Sequence, residues 1–163
     1  MLFEYFKIVV FQKYATFSGR ARRSEFWYYV LGCVIISFIL NVIETFIGTK
    51  TMYGGFGLLG LIFNVLVLIP GLAVSFRRFH DLNKSGWYNV VLYLPYLLLV
   101  IDFRKLNVPT FELRLTILLG MLAYFVYLIY IIVLCAKEGT KGPNKYGPDP
   151  KKREFSVEDH LID

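Results

Sequence analysis

Apolar residues in this chain come in four long runs, at residues 26–47, 56–75, 87–101 and 115–136. They do not recur at the spacing of one helical face or of alternating strand positions, so the chain is not patterned as a soluble domain. The second run has 20 residues without a charge and the fourth has 22. A helix of the latter length spans about 33 Å, against a hydrocarbon core of about 30 Å. These two runs predict transmembrane helices.

The first and third runs are less regular. Asn41 and Glu44 interrupt the first, and Glu44 lies close enough to its end for the carboxylate to reach the interface. The third is only 15 residues long, about 22 Å as a helix, and contains Pro95. It therefore fits either a short span or a re-entrant segment.

The distribution of Lys and Arg favours a span for the third run. Of the 18 basic residues, 14 lie in residues 1–25, 76–86 and 137–153, and the other four lie between the first and second runs or between the third and fourth. With four spans, all 14 share one side of the membrane. The positive-inside rule then places both termini in the cytoplasm.

The N-terminal segment, residues 2–17, can place Leu2, Phe3, Phe6, Val9, Val10, Tyr14 and Phe17 on one helical face, although Ile8 and Phe11 break the pattern. It is interpreted as an interfacial helix on the inner leaflet, with a frayed hydrophobic leader as the alternative. The prediction is an all-α membrane protein with four transmembrane helices, an N-terminal interfacial helix and an ordered, turn-rich cytoplasmic tail. Residues 1–150 form a single domain in this prediction, and residues 151–163 form a charged mobile tail.

Five arginines flank the first two runs at one predicted membrane surface: Arg20, Arg22, Arg23, Arg77 and Arg78. Two interpretations remain open. The arginines either set the topology and pair with Glu25 and Asp81, or form a pocket for a phosphate or an anionic lipid headgroup.

Two further features of the polar sequence invite a chemical role. His80 and Asp81 could act as an acid and an orienting carboxylate, or could cap a turn that Asn83 and Gly86 complete. The stretch GTKGPNKYGPDP, residues 139–150, has turn formers at close spacing and predicts a fold-back across the polar loop that precedes the third run. The candidate ligand-binding residues are Arg22, Arg77, Arg78, His80, Asp81, Lys84 and Asp149. Cys33 and Cys135 lie inside apolar runs and predict no metal site, and no cofactor motif is visible.

Three segments together resemble a known family: FSGRARRSEFW at residues 17–27, RRFHD with SGW at residues 77–87, and the Gly- and Pro-rich stretch at residues 139–150. The chain is similar to the YhaH-like bacterial inner-membrane proteins, grouped as domain of unknown function 805. The resemblance covers residues 14–150. It implies a small four-helix protein of the bacterial inner membrane and brings no activity with it. Residues 102–114 form a longer polar excursion than that pattern leads one to expect.

Three functions follow as hypotheses. The first is a non-enzymatic membrane protein whose basic cytoplasmic cap binds a partner protein or anionic lipid. The second is a small oligomeric transporter or channel lined by Asn41, Glu44 and Asn64, which requires these side chains to share one face. The third is an enzyme acting on a phosphorylated or lipid substrate, with His80 as acid or base. The expected partners are the lipid bilayer and a membrane protein or a second copy, not nucleic acid.

Overall fold

The computed structural model describes residues 1–48, 57–93 and 110–151, and these are helical with no β-strand. The helices are α1 (Leu2–Lys7), α2 (Arg23–Ile47), α3 (Leu58–Asp81) and α4 (Thr110–Ala136). A π-helical segment (Ile8–Gln12) follows α1, and a 3-10 helix (Gly86–Tyr93) follows α3.

Three of these helices are long and apolar enough to cross a membrane: α2, α3 and the Leu115–Ala136 part of α4. They contain the predicted runs at 26–47 and 115–136 and nearly all of the run at 56–75. The predicted span at 87–101 begins as the 3-10 helix, and its residues beyond Tyr93 lie outside the described residues, as does most of the 102–114 excursion.

The end of α3 corrects the sequence-based boundary. The prediction ended the second span at residue 75, whereas α3 continues to Asp81 and therefore carries Arg77 and Arg78 on its last turns. A helix can continue past the apolar run because Phe79 is buried there and the charges around it are neutralised inside the protein. The helix ends at a turn in which the N–H of Lys84 donates to the carbonyl of Phe79, with Asn83 in the left-handed region at φ 58°.

The N-terminal segment differs from the single amphipathic helix that was predicted. The α-helix ends at Lys7, and one wider turn follows, closed by the Lys13 N–H bonding the carbonyl of Ile8 at 2.9 Å. Phe6 and Val9 face the protein, where Phe6 packs against Gly32 and Tyr29 of α2. Phe3, which was placed on the same face, is exposed. The interfacial location of this segment stays a prediction.

Pro70 lies inside α3 and leaves a carbonyl without its usual helical donor. A proline has no N–H and its ring crowds the carbonyl four residues earlier, here that of Leu66. The hydroxyl of Tyr14 donates to that carbonyl at 2.9 Å, and the hydroxyl of Tyr29 donates to the next one, Val67, at 2.6 Å. Two tyrosines from other elements thus satisfy the backbone that Pro70 opens, as a helix in lipid requires.

We expect Tyr14→Phe to lower the free energy of unfolding by about 1 kcal/mol, because it leaves the Leu66 carbonyl unpaired. In a Pro70→Ala background the alanine supplies the missing N–H, and the same tyrosine substitution should have little effect. A double-mutant cycle by reversible unfolding in mixed micelles measures the difference. Equal losses in both backgrounds would show that Tyr14 acts through something other than this carbonyl.

Glu44 also corrects an expectation. Its carboxylate is enclosed within the protein instead of extending outward. The residue is 1% exposed, and its oxygens accept the N–H groups of Gly57, Leu59 and Gly60 at 3.0, 2.6 and 3.1 Å. These are among the first N–H groups of α3, which have no partner within the helix. Glu44 of α2 is therefore the N-terminal cap of α3, and it ties the two helices together at this end.

The chain divides into two compact units. One comprises Met1–Gly86 with Glu138–Asp163, and contains the core of Val9, Ala21, Tyr29 and Val74. The other is Trp87–Lys137, in which the Tyr127 hydroxyl donates to the carbonyl of Tyr88. The single domain over residues 1–150 stays a prediction.

Candidate functional site

Backbone hydrogen bonds join three polar stretches at the end of α3. The Ala21 N–H donates to the carbonyl of Arg77 at 3.0 Å, which fixes the segment before α2 against α3. The Thr140 N–H donates to the carbonyl of Asp81 at 2.9 Å, which fixes the segment near the C-terminus to the same helix end. We call residues 20–25, 77–81 and 138–151 together the polar cap.

The centre of the polar cap is a buried ion cluster. The Asp81 carboxylate accepts from Arg20 Nε at 3.0 Å on one oxygen and from Arg78 Nη1 on the other. The side chains of the two arginines are 1% and 0% exposed. A second pair joins Arg77 to Glu25, and Lys13 approaches the same Glu25 oxygen at 3.4 Å. Burial in this environment is tolerable only because each charge meets an opposite one.

Residues 138–151, which we call the strap, fold over this cluster. Arg20 donates to the strap carbonyls of Gly142 and Thr140, at 2.6 and 2.5 Å, so one guanidinium connects α3 to the strap. The Asn144 side-chain amide donates to the carbonyl of His80 at 2.9 Å. The Tyr146 ring stacks on His80, with ring centroids 3.9 Å apart and planes 6° apart.

The strap owes its shape to glycines and one carboxylate. Gly142 and Gly147 have φ of 75° and 137°, a region that side chains disfavour. A Cβ added at Gly139 would overlap the Asp81 carboxylate, so only glycine allows the strap to start so close to the ion cluster. Asp149 accepts the N–H groups of Lys151 and Gly142, both at 3.0 Å. The bond from the Lys151 N–H does most to lower the pKa of Asp149, which keeps the carboxyl ionised.

A groove of about 420 Å³ opens where the strap meets the start of α2. It is lined by Arg22, Arg23, Ser24, Arg78, Asp81, Gly139, Thr140, Lys141, Asp149, Pro150 and Lys151. Five of these carry positive charge and two carry negative charge. Arg78 pairs with Asp81, Lys151 pairs with Glu138, and Asp149 is held by backbone N–H groups. The surplus of positive charge in the lining therefore comes from Arg22, Arg23 and Lys141.

Four of the seven candidate ligand-binding residues line this groove: Arg22, Arg78, Asp81 and Asp149. The other three are elsewhere. Arg77 pairs with Glu25, His80 stacks on Tyr146, and Lys84 follows the end of α3. Seven lining residues were outside the candidate list, among them the basic residues Lys141 and Lys151. Arg23, also in the lining, and Arg20, which reaches the strap, were named only as members of the arginine cluster. The high density of basic residues in residues 20–25 and 139–151 was the feature of the sequence that could have identified these residues.

His80 is not arranged as an acid or base beside Asp81. Its Nδ1 lies 3.1 Å from the carbonyl of Gly19, and its ring packs on Tyr146, whereas the Asp81 carboxylate is occupied by two arginines. Although the two residues are adjacent in the sequence, their side chains make different contacts. In the described ranges, no three His, Cys, Asp or Glu side chains are grouped as a metal site.

The three polar span residues proposed for a conduction path also have separate surroundings. Glu44 is enclosed against the start of α3, while Asn64 is exposed on α3 and Asn41 is half-buried on α2. The transport hypothesis requires a shared face. These placements give it no support within the described part of α2 and α3.

The fold and the polar cap define a helical membrane protein with a compact ion cluster where α2 begins and α3 ends. The chain belongs to the family described as "Protein of unknown function (DUF805)", whose model matches residues 14–148. It is 32% identical over 142 residues to the inner membrane protein YhaH of Escherichia coli (strain K12), covering 87% of this chain and 93% of that protein. It is 30% identical to the inner membrane protein YhaI of the same strain, covering 87% and 92%. No solved structure matches.

Proposed function

We propose that this protein is a non-enzymatic inner-membrane protein whose polar cap binds the phosphate of an anionic lipid headgroup in the groove. The observation that carries the proposal is the surplus of basic side chains around the groove. Guanidinium and ammonium groups are the donors that phosphate binds best. The start of α2 also favours an anion in the groove. The first N–H groups of α2 and the positive end of its helix dipole lie there, and no side chain caps the helix.

The position of the groove along α2 favours a lipid over a soluble anion. Arg22 and Arg23 stand at the start of α2, and the apolar run begins at Phe26, followed by the partly exposed Trp27. A tryptophan at this position is typical of the membrane–water interface. The groove is thus expected at the depth of the lipid headgroups, so a lipid phosphate can enter it without moving along the membrane normal.

We expect Arg23→Ala/Lys141→Ala to weaken binding of phosphatidylglycerol by about thirtyfold, because each basic residue near the surface contributes about 1 kcal/mol. Native mass spectrometry and lipid titration of the detergent-purified protein measure this. Lys145→Ala is the control for the single variant Lys141→Ala. Lys145 is an exposed strap residue outside the groove lining, so its replacement removes one positive charge from the strap without changing the lining. An equal loss in Lys141→Ala and Lys145→Ala would mean that net charge alone attracts the lipid.

The proposed orientation places both termini and the polar cap in the cytoplasm, as the distribution of basic residues predicts. Reporter fusions after Asn83 and at the C-terminus should both report a cytoplasmic location, and a fusion after Lys50 an external one. A C-terminus outside the cell would contradict the four-span arrangement. If the fusions after Asn83 and at the C-terminus both report an external location, the groove lies on the leaflet opposite to the one proposed.

A further inference from the structure

We infer that strap docking and anion binding form one linked equilibrium, in which the strap completes the groove and the bound anion holds the strap in place. This inference rests on the proposed function, because it assigns regulation to the same groove. The first observation that supports it is that the strap supplies much of the groove lining. The strap supplies six of the eleven lining residues, among them Lys141 and Lys151. A chain with its strap undocked keeps only the α2 and α3 side of the site.

The strap is attached by polar contacts and not by a core. Every residue from 138 to 151 is half-buried or exposed, so docking buries no complete apolar side chain. Its attachment depends on the bonds from Arg20, the Thr140 N–H on the Asp81 carbonyl, the Asn144 amide on the His80 carbonyl and the Tyr146 stack. The Arg22 Nε also donates to the strap carbonyl of Pro150 at 3.1 Å. A segment with few buried apolar contacts and several exposed hydrogen bonds belongs to the least stable part of a protein. The strap is thus the element of the polar cap most easily released.

Electrostatics connects this release to the ligand. Docking brings Lys141 and Lys151 to the groove that Arg22 and Arg23 already line. Glu138 of the strap pairs with Lys151 at 2.5 Å, so the like-charge repulsion that opposes docking comes mainly from Lys141. A phosphate in the groove offsets that repulsion, and it meets all four side chains only in the docked state. An anion that binds the docked state alone shifts the docking equilibrium by a factor of one plus its concentration over Kd, about tenfold at ten times Kd.

Hydrogen–deuterium exchange of the full-length protein in nanodiscs tests the linkage. The reporter of docking is the Thr140 N–H, which donates to the Asp81 carbonyl outside the strap. The N–H groups of Asn144 and Gly147 bond each other's carbonyls and report whether the turn within the strap stays formed. We compare phosphatidylcholine discs alone, with inorganic phosphate, and with phosphatidylglycerol. Exchange of the Thr140 N–H should slow about tenfold with the anion that binds. Slowing by phosphatidylglycerol alone identifies a headgroup, and slowing by inorganic phosphate alone identifies a free anion.

Asn144→Ala separates strap docking from contact with the ligand. Asn144 lies outside the groove lining, and it bonds His80, Thr140 and the Tyr146 N–H. Its removal should speed exchange throughout the strap. It should also weaken anion affinity by the same factor by which the docked fraction falls, because only the docked fraction binds. Lys7→Ala, on an exposed side chain of α1 outside the polar cap, should change neither quantity by more than about twofold.

The outcomes distinguish the two proposals. If Asn144→Ala and Asn144→Ala/Tyr146→Ala release the strap while affinity stays at the wild-type value, the linkage is wrong and the groove remains a binding site. If exchange of the strap N–H groups stays slow in both variants, Asn144 and Tyr146 do not hold the strap, and the attachment described above is wrong. If neither phosphate nor phosphatidylglycerol binds the wild type, the proposed function fails and the linkage fails with it.

Discussion

Replacing Arg20 with methionine is expected to lower the free energy of unfolding by about 3–5 kcal/mol, the range found when one partner of a buried ion pair is removed. Arg20 reaches Asp81 and the carbonyls of Thr140 and Gly142 from a site where its side chain is 1% exposed. Methionine fills a similar length without a donor, so the carboxylate loses one of its two arginines and the strap carbonyls lose their donor. Equilibrium unfolding in mixed micelles measures the difference.

Arg23→Met is the matched control for this prediction. It makes the same substitution three residues away, on an exposed side chain of the groove, and should change stability by no more than about 0.5 kcal/mol. The two variants should therefore differ in stability: Arg20→Met lowers it and, by releasing the strap, also weakens anion binding, whereas Arg23→Met weakens anion binding alone. Similar stability losses in both would show that the polar cap is held by overall charge and not by the Arg20 hydrogen bonds.

Replacing a buried arginine of the polar cap and replacing an exposed one thus have different effects, although these arginines are neighbours in the sequence. Arg20, Arg77 and Arg78 are each paired with a carboxylate inside the protein. This bears out pairing with Glu25 and Asp81, one of the two open interpretations. Arg22 and Arg23 line the groove, which is the setting that the other interpretation requires. The pairing interpretation describes Arg20, Arg77 and Arg78, whereas a pocket for phosphate at Arg22 and Arg23 stays a proposal. Which arginine belongs to which group depends on tertiary contacts.

Sequence reasoning located the membrane helices because an uninterrupted apolar run of about 20 residues has few other uses. It failed at the end of α3, since nothing local indicates that Arg77 is neutralised by Glu25, a residue 52 positions earlier. The same limit applies to the site. Adjacency suggested that His80 and Asp81 act together, whereas Asp81 bonds arginines and His80 packs on Tyr146, 66 positions later. Long-range partners of polar residues carry no periodic signal along the chain.

At the opposite end of α2 and α3, Glu44→Ala is expected to lower the free energy of unfolding by about 2–3 kcal/mol. The carboxylate accepts three N–H groups at the start of α3, and the alanine leaves them without a partner in a buried site. Capping side chains are worth about 0.5–2 kcal/mol in water, and burial raises that value because no solvent replaces the bond. The measurement is the same equilibrium unfolding in mixed micelles.

Glu44→Gln and Glu4→Ala separate this capping role from a general effect of charge. Glutamine keeps one oxygen, which can still accept from Leu59 and Gly60, so about half of the loss should return. Glu4 is an exposed glutamate paired with the N-terminal amine, and its replacement should change stability by less than about 0.5 kcal/mol. A transport role for Glu44 makes the opposite prediction, in which Glu44→Gln abolishes ion flux in proteoliposomes at unchanged stability. The three N–H groups that the carboxylate already accepts favour the capping role.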